Sequence, residues 1–183
     1  PVNAAQIARS LGVSGTTIAR YLDLMVDLLL VRRLQPWTFN EGKRLMRSPK
    51  VYVRDSGVTH ALLNIANYND LLGHPVAGGS WEGFVVENIL STAPPQARSY
   101  YYRTSGGAEI DFVLEFGLRD RWAIEIKRSS APSLSRGFHT GCEDVKASRR
   151  YVVYSGADTF SMENGVTAVS LNSLMREIAK RGE

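Results

Sequence analysis

Cys142 is the chain's only cysteine, so neither a disulfide framework nor a cysteine-based zinc site can form within one chain, and the composition suits a reducing compartment. No apolar run approaches the length that crosses a bilayer, and no charged-then-apolar leader opens the sequence. The expectation is a cytoplasmic protein with no membrane partner. An initiator methionine is missing and the first residues already read as helix, so a piece of a longer protein is expected. Histidine is scarce as well. His60 and His74 are isolated, and His139 with Cys142 has no third or fourth ligand nearby, so these two read as packing residues. From Arg32 to Arg54 acid is almost absent: Glu41 stands against seven basic residues, Arg32, Arg33, Lys43, Arg44, Arg47, Lys50 and Arg54.

Against these absences stand 183 residues of 44% hydrophobic content, enough for a core and for one domain or two small ones. The net charge of +4, from 22 basic and 18 acidic residues, is too small to indicate nucleic acid by itself. The local basic cluster carries more information. It either holds phosphates by releasing their counterions, with Lys43, Arg44, Arg47 and Lys50 as contacts, or is a solvated connector or a surface for an acidic domain.

The segment "NAAQIARSLGVSGTTIARYLDLMVDLLLVRRL" has the form of a helix-turn-helix. Ile7 and Leu11 face inward on the first helix, Gly12 permits a left-handed turn, and Ser14 caps the second helix. Ile18, Leu22, Met25 and Leu29 repeat at helical spacing, and residues 22–30 are apolar enough to require packing. In a DNA reader Thr16, Thr17 and Arg20 face the major groove from the start of that helix. "LVRRLQPW" and "KVYVRD" then read as the strand pair of a winged helix with the basic loop as wing, and "DSGVTHALLNI" as a helix with Ala61, Leu62 and Ile65 inward. The expected division is 1–66 winged helix-turn-helix, 67–80 linker rich in Gly, Pro and Asn, and 79–183 an α/β domain with a central mixed sheet.

In that second part the order is helix, three strands, helix, two strands, helix. Side chains alternate across a strand. In "AEIDFVLEF" this places Ile110, Phe112, Leu114 and Phe116 on one face and Glu109, Asp111, Val113 and Glu115 on the other. In "RWAIEIK" Glu125 and Lys127 share a face, so a hairpin brings Asp111 beside Glu125. Two carboxylates with the Ile126 carbonyl are hard oxygen ligands suited to Mg²⁺ (or Mn²⁺), with Lys127 positioned to offset charge on a phosphodiester. A wet sheet face with weak cross-strand pairs explains the same short pattern. What distinguishes the two is Glu82, which falls inside the apolar arc of "SWEGFVVENILSTA" where a carboxylate needs neutralising, a hydrogen bond or a metal. Glu87 falls on the polar side.

"GGSWEGFVVE", "YYYRT", "GGAEIDFVLE" and "AIEIKRS" together resemble the PD-(D/E)XK, restriction-endonuclease-like superfamily. With "SGTTIARYLDLM", "LLVRRLQPW" and "GKRLMRSPKVYVRDSGV", nearly the whole chain resembles the C-terminal half of a set of bacterial and archaeal AAA-type P-loop ATPases. In these a winged helix precedes a domain of unknown function. The resemblance implies an acidic site of Glu82, Asp111 and Glu125, with Lys127 as catalytic base or charge stabiliser. It also implies Mg²⁺-dependent hydrolysis of DNA phosphodiesters and an upstream ATPase module of the same polypeptide. An Ile stands where the superfamily usually has a Pro before the first site Asp. No GxxxxGK[ST] loop is present, so this chain is not expected to hydrolyse ATP. The alternative is a non-catalytic DNA-binding, regulatory or protein-interaction module of that ATPase. The sequence sets no oligomeric state.

Overall fold

A computed structural model describes residues 4–38 and 45–182. They form two compact units, Pro1–Leu34 with Ser48–Phe84, and Gln35–Arg47 with Val85–Glu183. The expected contacts Lys43 and Arg44 lie outside the described residues.

In the first unit α1 (Ala4–Leu11) and α2 (Gly15–Asp27) are joined by the turn expected from Gly12, whose φ of 65° lies in the left-handed region. Ser14 caps α2 by accepting from the Thr17 amide at 3.0 Å. β1 (Val31–Leu34) and β2 (Lys50–Val53) pair antiparallel, Val31 opposite Val53. α3 (Ser56–Leu62) starts at Asp55, which accepts from the Gly57 and Val58 amides. α4 (Tyr68–Gly73) and the start of α5 (Ala77–Thr92) occupy most of the stretch expected as linker, because Asn67 caps a helix there through the Asp70 amide.

Three apolar expectations change in this unit. On α2 the inner row is Ile18, Leu22 and Val26, four residues apart, and only Ile18 is fully buried. Leu24, Met25, Leu28 and Leu29 are exposed instead of packed, because the helix carries a second apolar row that no described residue covers. Leu11 is also exposed, and on α3 so are Ala61 and Leu62, while Ser56, Thr59 and His60 take the half-buried positions. Apolar periodicity located the helices but did not decide which of two apolar rows meets a neighbour.

From Val85 onward α5 belongs to the second unit, with Val85, Val86 and Ile89 fully buried. There follow β3 (Arg98–Arg103), β4 (Glu109–Gly117), β5 (Asp120–Ile126), α6 (Arg136–Asp144), β6 (Arg149–Val153), β7 (Phe160–Ser161), β8 (Val166–Val169) and α7 (Leu171–Ala179). The sheet order is β3-β4-β5-β6-β8-β7, with β5, β6 and β8 parallel and the other pairs antiparallel. This mixed α/β sheet agrees with the expected fold class.

α6 covers one face of the sheet, where Phe138, Cys142 and Val145 pack with Val113, Ala123, Val152 and Ala168. On the other face Leu174 and Ile178 of α7 are buried, and its Glu177 meets Tyr151, which alternates with Val152 on β6. α6 lies very close to the start of β4. A Cβ on Gly137 would stand 2.3 Å from the Gly107 carbonyl oxygen, so only glycine fits there.

The segment between β1 and β2, read as a wing, has its described ends on β3 within the second unit. Trp37 donates its amide to Tyr101 O at 2.7 Å, Tyr101 N donates to Gln35 O, and Met46 N donates to Arg103 O. Trp37 is buried edge-on against Tyr102, with the Arg121 guanidinium over its other side. These bonds occupy part of the outer edge of β3.

Candidate active site

The strand pair β4–β5 keeps its register from Glu115 opposite Arg121 to Phe112 opposite Ile124. One residue further the Asp111 carboxylate crosses the gap and accepts from the Ile126 amide at 3.1 Å. Asp111 thus engages the Ile126 N–H, where the sequence reading had used the Ile126 carbonyl as a ligand. Between β3 and β4 the register also shifts, with Tyr100 opposite Val113 but Tyr102 opposite Ile110. Three steps on β4 therefore answer two on β3, which is a bulge. The bulge turns Ile110 into the cluster under α6 beside Val113, not onto the face of Phe112 and Leu114 that strict alternation assigns it.

Glu125 and Lys50 are the buried charged side chains among the described residues. Glu125 is 7% exposed. Lys127 Nζ donates to its Oε1 at 2.8 Å, while its Oε2 is buried with no hydrogen-bond partner among the described residues. Burial first, then the negative charge of Asp111, pushes the Glu125 carboxyl up to about 7, and the Lys127 hydrogen bond only partly offsets them. Burial alone would lower the Lys127 ammonium, but its bond to Glu125 and the charges of Glu125, Asp111 and Glu109 outweigh burial and raise it. Glu109 is the residue the sequence reading missed. It was assigned to the Asp111 face but given no part in the site, and its charge acts on both Glu125 and Lys127. Behind the cluster lies Cys142, a buried thiol pushed up to about 12 by its burial and unreactive for that reason.

Asp111, Glu125 and Lys127 therefore meet in the second unit, as the hairpin reading expected. Glu82 belongs to the first unit. There its Oε1 accepts from Lys50 Nζ at 2.7 Å and from the Tyr52 hydroxyl at 2.5 Å. The carboxylate that looked misplaced on an apolar helix face is neutralised by an ammonium from β2. Lys50, expected as a phosphate contact, is 5% exposed and committed to that pair. Thr16 and Arg20 are exposed at the start of α2, Thr17 bonds the Ser14 hydroxyl, and Arg47 is exposed.

Among the described residues no three His, Cys, Asp or Glu side chains gather closely enough to enclose a metal ion. Mg²⁺ commonly takes one or two carboxylates and keeps several waters, so the pair Asp111 and Glu125 meets that lesser requirement. Their donor chemistry fits a hard divalent cation: two carboxylates, one with an orphaned buried oxygen, whose burial first and then the Asp111 charge already hold a proton on Glu125 up to about 7.

Residues 77–174 match a family described as a domain of unknown function, DUF4143, and residues 1–69 match a second, DUF8612. An uncharacterized protein of Mycobacterium tuberculosis and one of Mycobacterium bovis are each 42% identical to the chain over 173 residues, covering 94% of it and 39% of their own length. The chain thus spans about two fifths of the length of these curated relatives. No solved structure matches it. No helix among the described residues is long and apolar enough to cross a membrane.

Proposed function

The chain belongs to the DUF4143 family, whose description states no activity, so we propose a function from the chemistry of the acidic site: divalent-cation-dependent hydrolysis of DNA phosphodiesters. The observation that carries this reading is the buried, unpartnered Oε2 of Glu125 beside Asp111 and Lys127. Leaving a carboxylate oxygen unpaired in the interior costs about 1–3 kcal/mol or more, and a bound cation would offset that cost.

Asp111 and Glu125 would hold the cation, Mg²⁺ or Mn²⁺. When bound, it supplies Lewis-acid stabilisation of charge on a phosphodiester. Asp111 is oriented by the Ile126 amide, which keeps its carboxylate at the opening of the two strands. Glu125 must lose its proton to act as a ligand, so cation affinity weakens as pH falls through about 7. Lys127, held protonated by the surrounding carboxylates, serves as a charge stabiliser, not as the base. This reading retains the resemblance of 79–183 to the PD-(D/E)XK superfamily. It takes α1, α2, β1 and β2 as a winged helix that contacts DNA through Thr16, Thr17 and Arg20, in a longer polypeptide with an AAA-type ATPase module.

The test is cleavage of duplex, junction and single-stranded DNA with Mg²⁺ or Mn²⁺. Wild type should cut at least one substrate, and Asp111→Ala and Lys127→Ala should lose about 10²-fold or more of the rate while folding normally. Wild type that cuts none of them with either metal would refute the proposal. A second reading, a non-catalytic regulatory module, is favoured by one observation: Glu82 is already satisfied by Lys50 and Tyr52 and needs no metal. It predicts that Mn²⁺ fails to raise the thermal midpoint at pH 8.

A further inference from the structure

On the α7 face of the sheet, opposite the face on which Glu125 approaches Cys142, lies a groove of about 460 Å³ lined by Arg149, Ser173, Arg176, Glu177, Lys180 and Arg181. Two of its arginines rest on a buried aromatic cluster. Trp122 contacts Phe116 and Tyr151 at centroid distances of 4.9 and 5.3 Å. Two guanidiniums lie on the Trp122 ring, Arg149 at 4.9 Å and Arg181 at 5.6 Å, so both are held in place by stacking before any ligand arrives.

The charges do not cancel. Arg149 pairs with Glu177, which also accepts from the Tyr151 hydroxyl, and Arg181 pairs with Asp120 at 3.1 Å. Arg176 on α7 and Lys180, the residue that caps its C-terminus, have no ion-pair partner among the described residues and stand exposed at the groove. The surplus is two positive charges. Cations near a helix C-terminus also offset its dipole, which accounts for Arg176 and Lys180 on the helix alone. It does not account for Arg149, brought from the start of β6 and stacked on the sheet to converge on the same space.

We propose that this groove binds a phosphate monoester, either a free nucleotide or the terminal phosphate of a nucleic acid. A monoester carries close to two negative charges at neutral pH, matching the surplus. Its oxygens accept the forked N–H groups of arginine and the Ser173 hydroxyl. The volume suits a nucleotide-sized ligand and is too small for a duplex. The groove and the acidic site lie on opposite faces of the sheet, so this binding is separate from the proposed hydrolysis and is tested without it.

The experiment is calorimetric titration of the 183-residue chain, without divalent metal, with inorganic phosphate, a mononucleotide, and a short oligonucleotide carrying either a 5′-phosphate or a 5′-hydroxyl. Arg176→Ala/Lys180→Ala is the partner variant, since both side chains are exposed and their loss leaves the fold intact. The expected result is one site per chain whose affinity falls with added salt and drops about tenfold or more in the double variant. Binding of phosphate or the mononucleotide assigns a free ligand. Binding of the 5′-phosphorylated oligonucleotide alone assigns a nucleic-acid end. No phosphate-dependent binding, or equal affinity in wild type and double variant, overturns the proposal.

Discussion

Glu125 shows how far one side chain can tie stability to pH. Its folded carboxyl keeps its proton up to about 7, against 4.5 ordinarily, so between those values the folded chain binds more protons than the unfolded one. The stability this group contributes is complete below 4.5 and is lost as pH rises to 7, about 3 kcal/mol in all. Glu125→Gln should therefore flatten that part of the profile and be the more stable protein at pH 8, as urea denaturation at pH 5 and pH 8 would show. Mn²⁺ at pH 8 should raise the thermal midpoint of wild type and not of Glu125→Gln. Lys50 makes the complementary case in the first unit, where it answers a half-buried carboxylate. Lys50→Met should cost about 3 kcal/mol by leaving Glu82 without its cation. Adding Glu82→Gln should recover most of that loss in a double-mutant cycle. The sequence marked Glu82 as needing a partner, but could not say which, because that partner lies 32 residues away on a strand. Local patterns fix faces and caps. They do not fix which faces meet.

Among the elements, those with strong local signals are the ones legible beforehand. Ser14 caps where a short polar side chain precedes an apolar period, and Gly12 takes the left-handed turn before it. The bulge in β4 left no such trace, because Ile110 and Val113 are equally apolar on either face, and only pairing with β3 decides their side. α2 ends in a less expected way. Leu30 N reaches back to Met25 O and Leu29 N to Val26 O, which is the turn that closes many helices with a left-handed glycine. Here the left-handed position, φ 59°, is filled by Leu29, whose side chain is also exposed. Leu29→Gly should stabilise the first unit by about 1 kcal/mol, since a leucine gains nothing from contacts there and bears the left-handed strain. Thermal or chemical denaturation reads the gain directly, and a loss of stability would mean that Leu29 packs on something.

At the scale of the whole chain, composition and element order were enough to give a mixed α/β protein, and the order of strands and helices from Arg98 on could be read almost entirely. What could not be read is that residues Gln35–Arg47 belong with Val85–Glu183, because backbone bonds to β3 have no sequence signature. A fragment of residues 79–183 lacks Trp37 and the strand-edge bonds around Tyr101, and it should be markedly less stable than the same residues in the full chain. Trp37→Ala isolates the packing part of that loss, about 3–5 kcal/mol for a buried tryptophan. Near-ultraviolet dichroism, which reports the Trp122 environment, follows both variants. The interleaving also sets a schedule during synthesis. Trp37 leaves the ribosome roughly sixty residues before the strand it must meet, a delay of several seconds at about 5–20 residues per second. Through that interval the indole is without the strand that buries it, so a nascent chain exposes Trp37 until β3 has emerged.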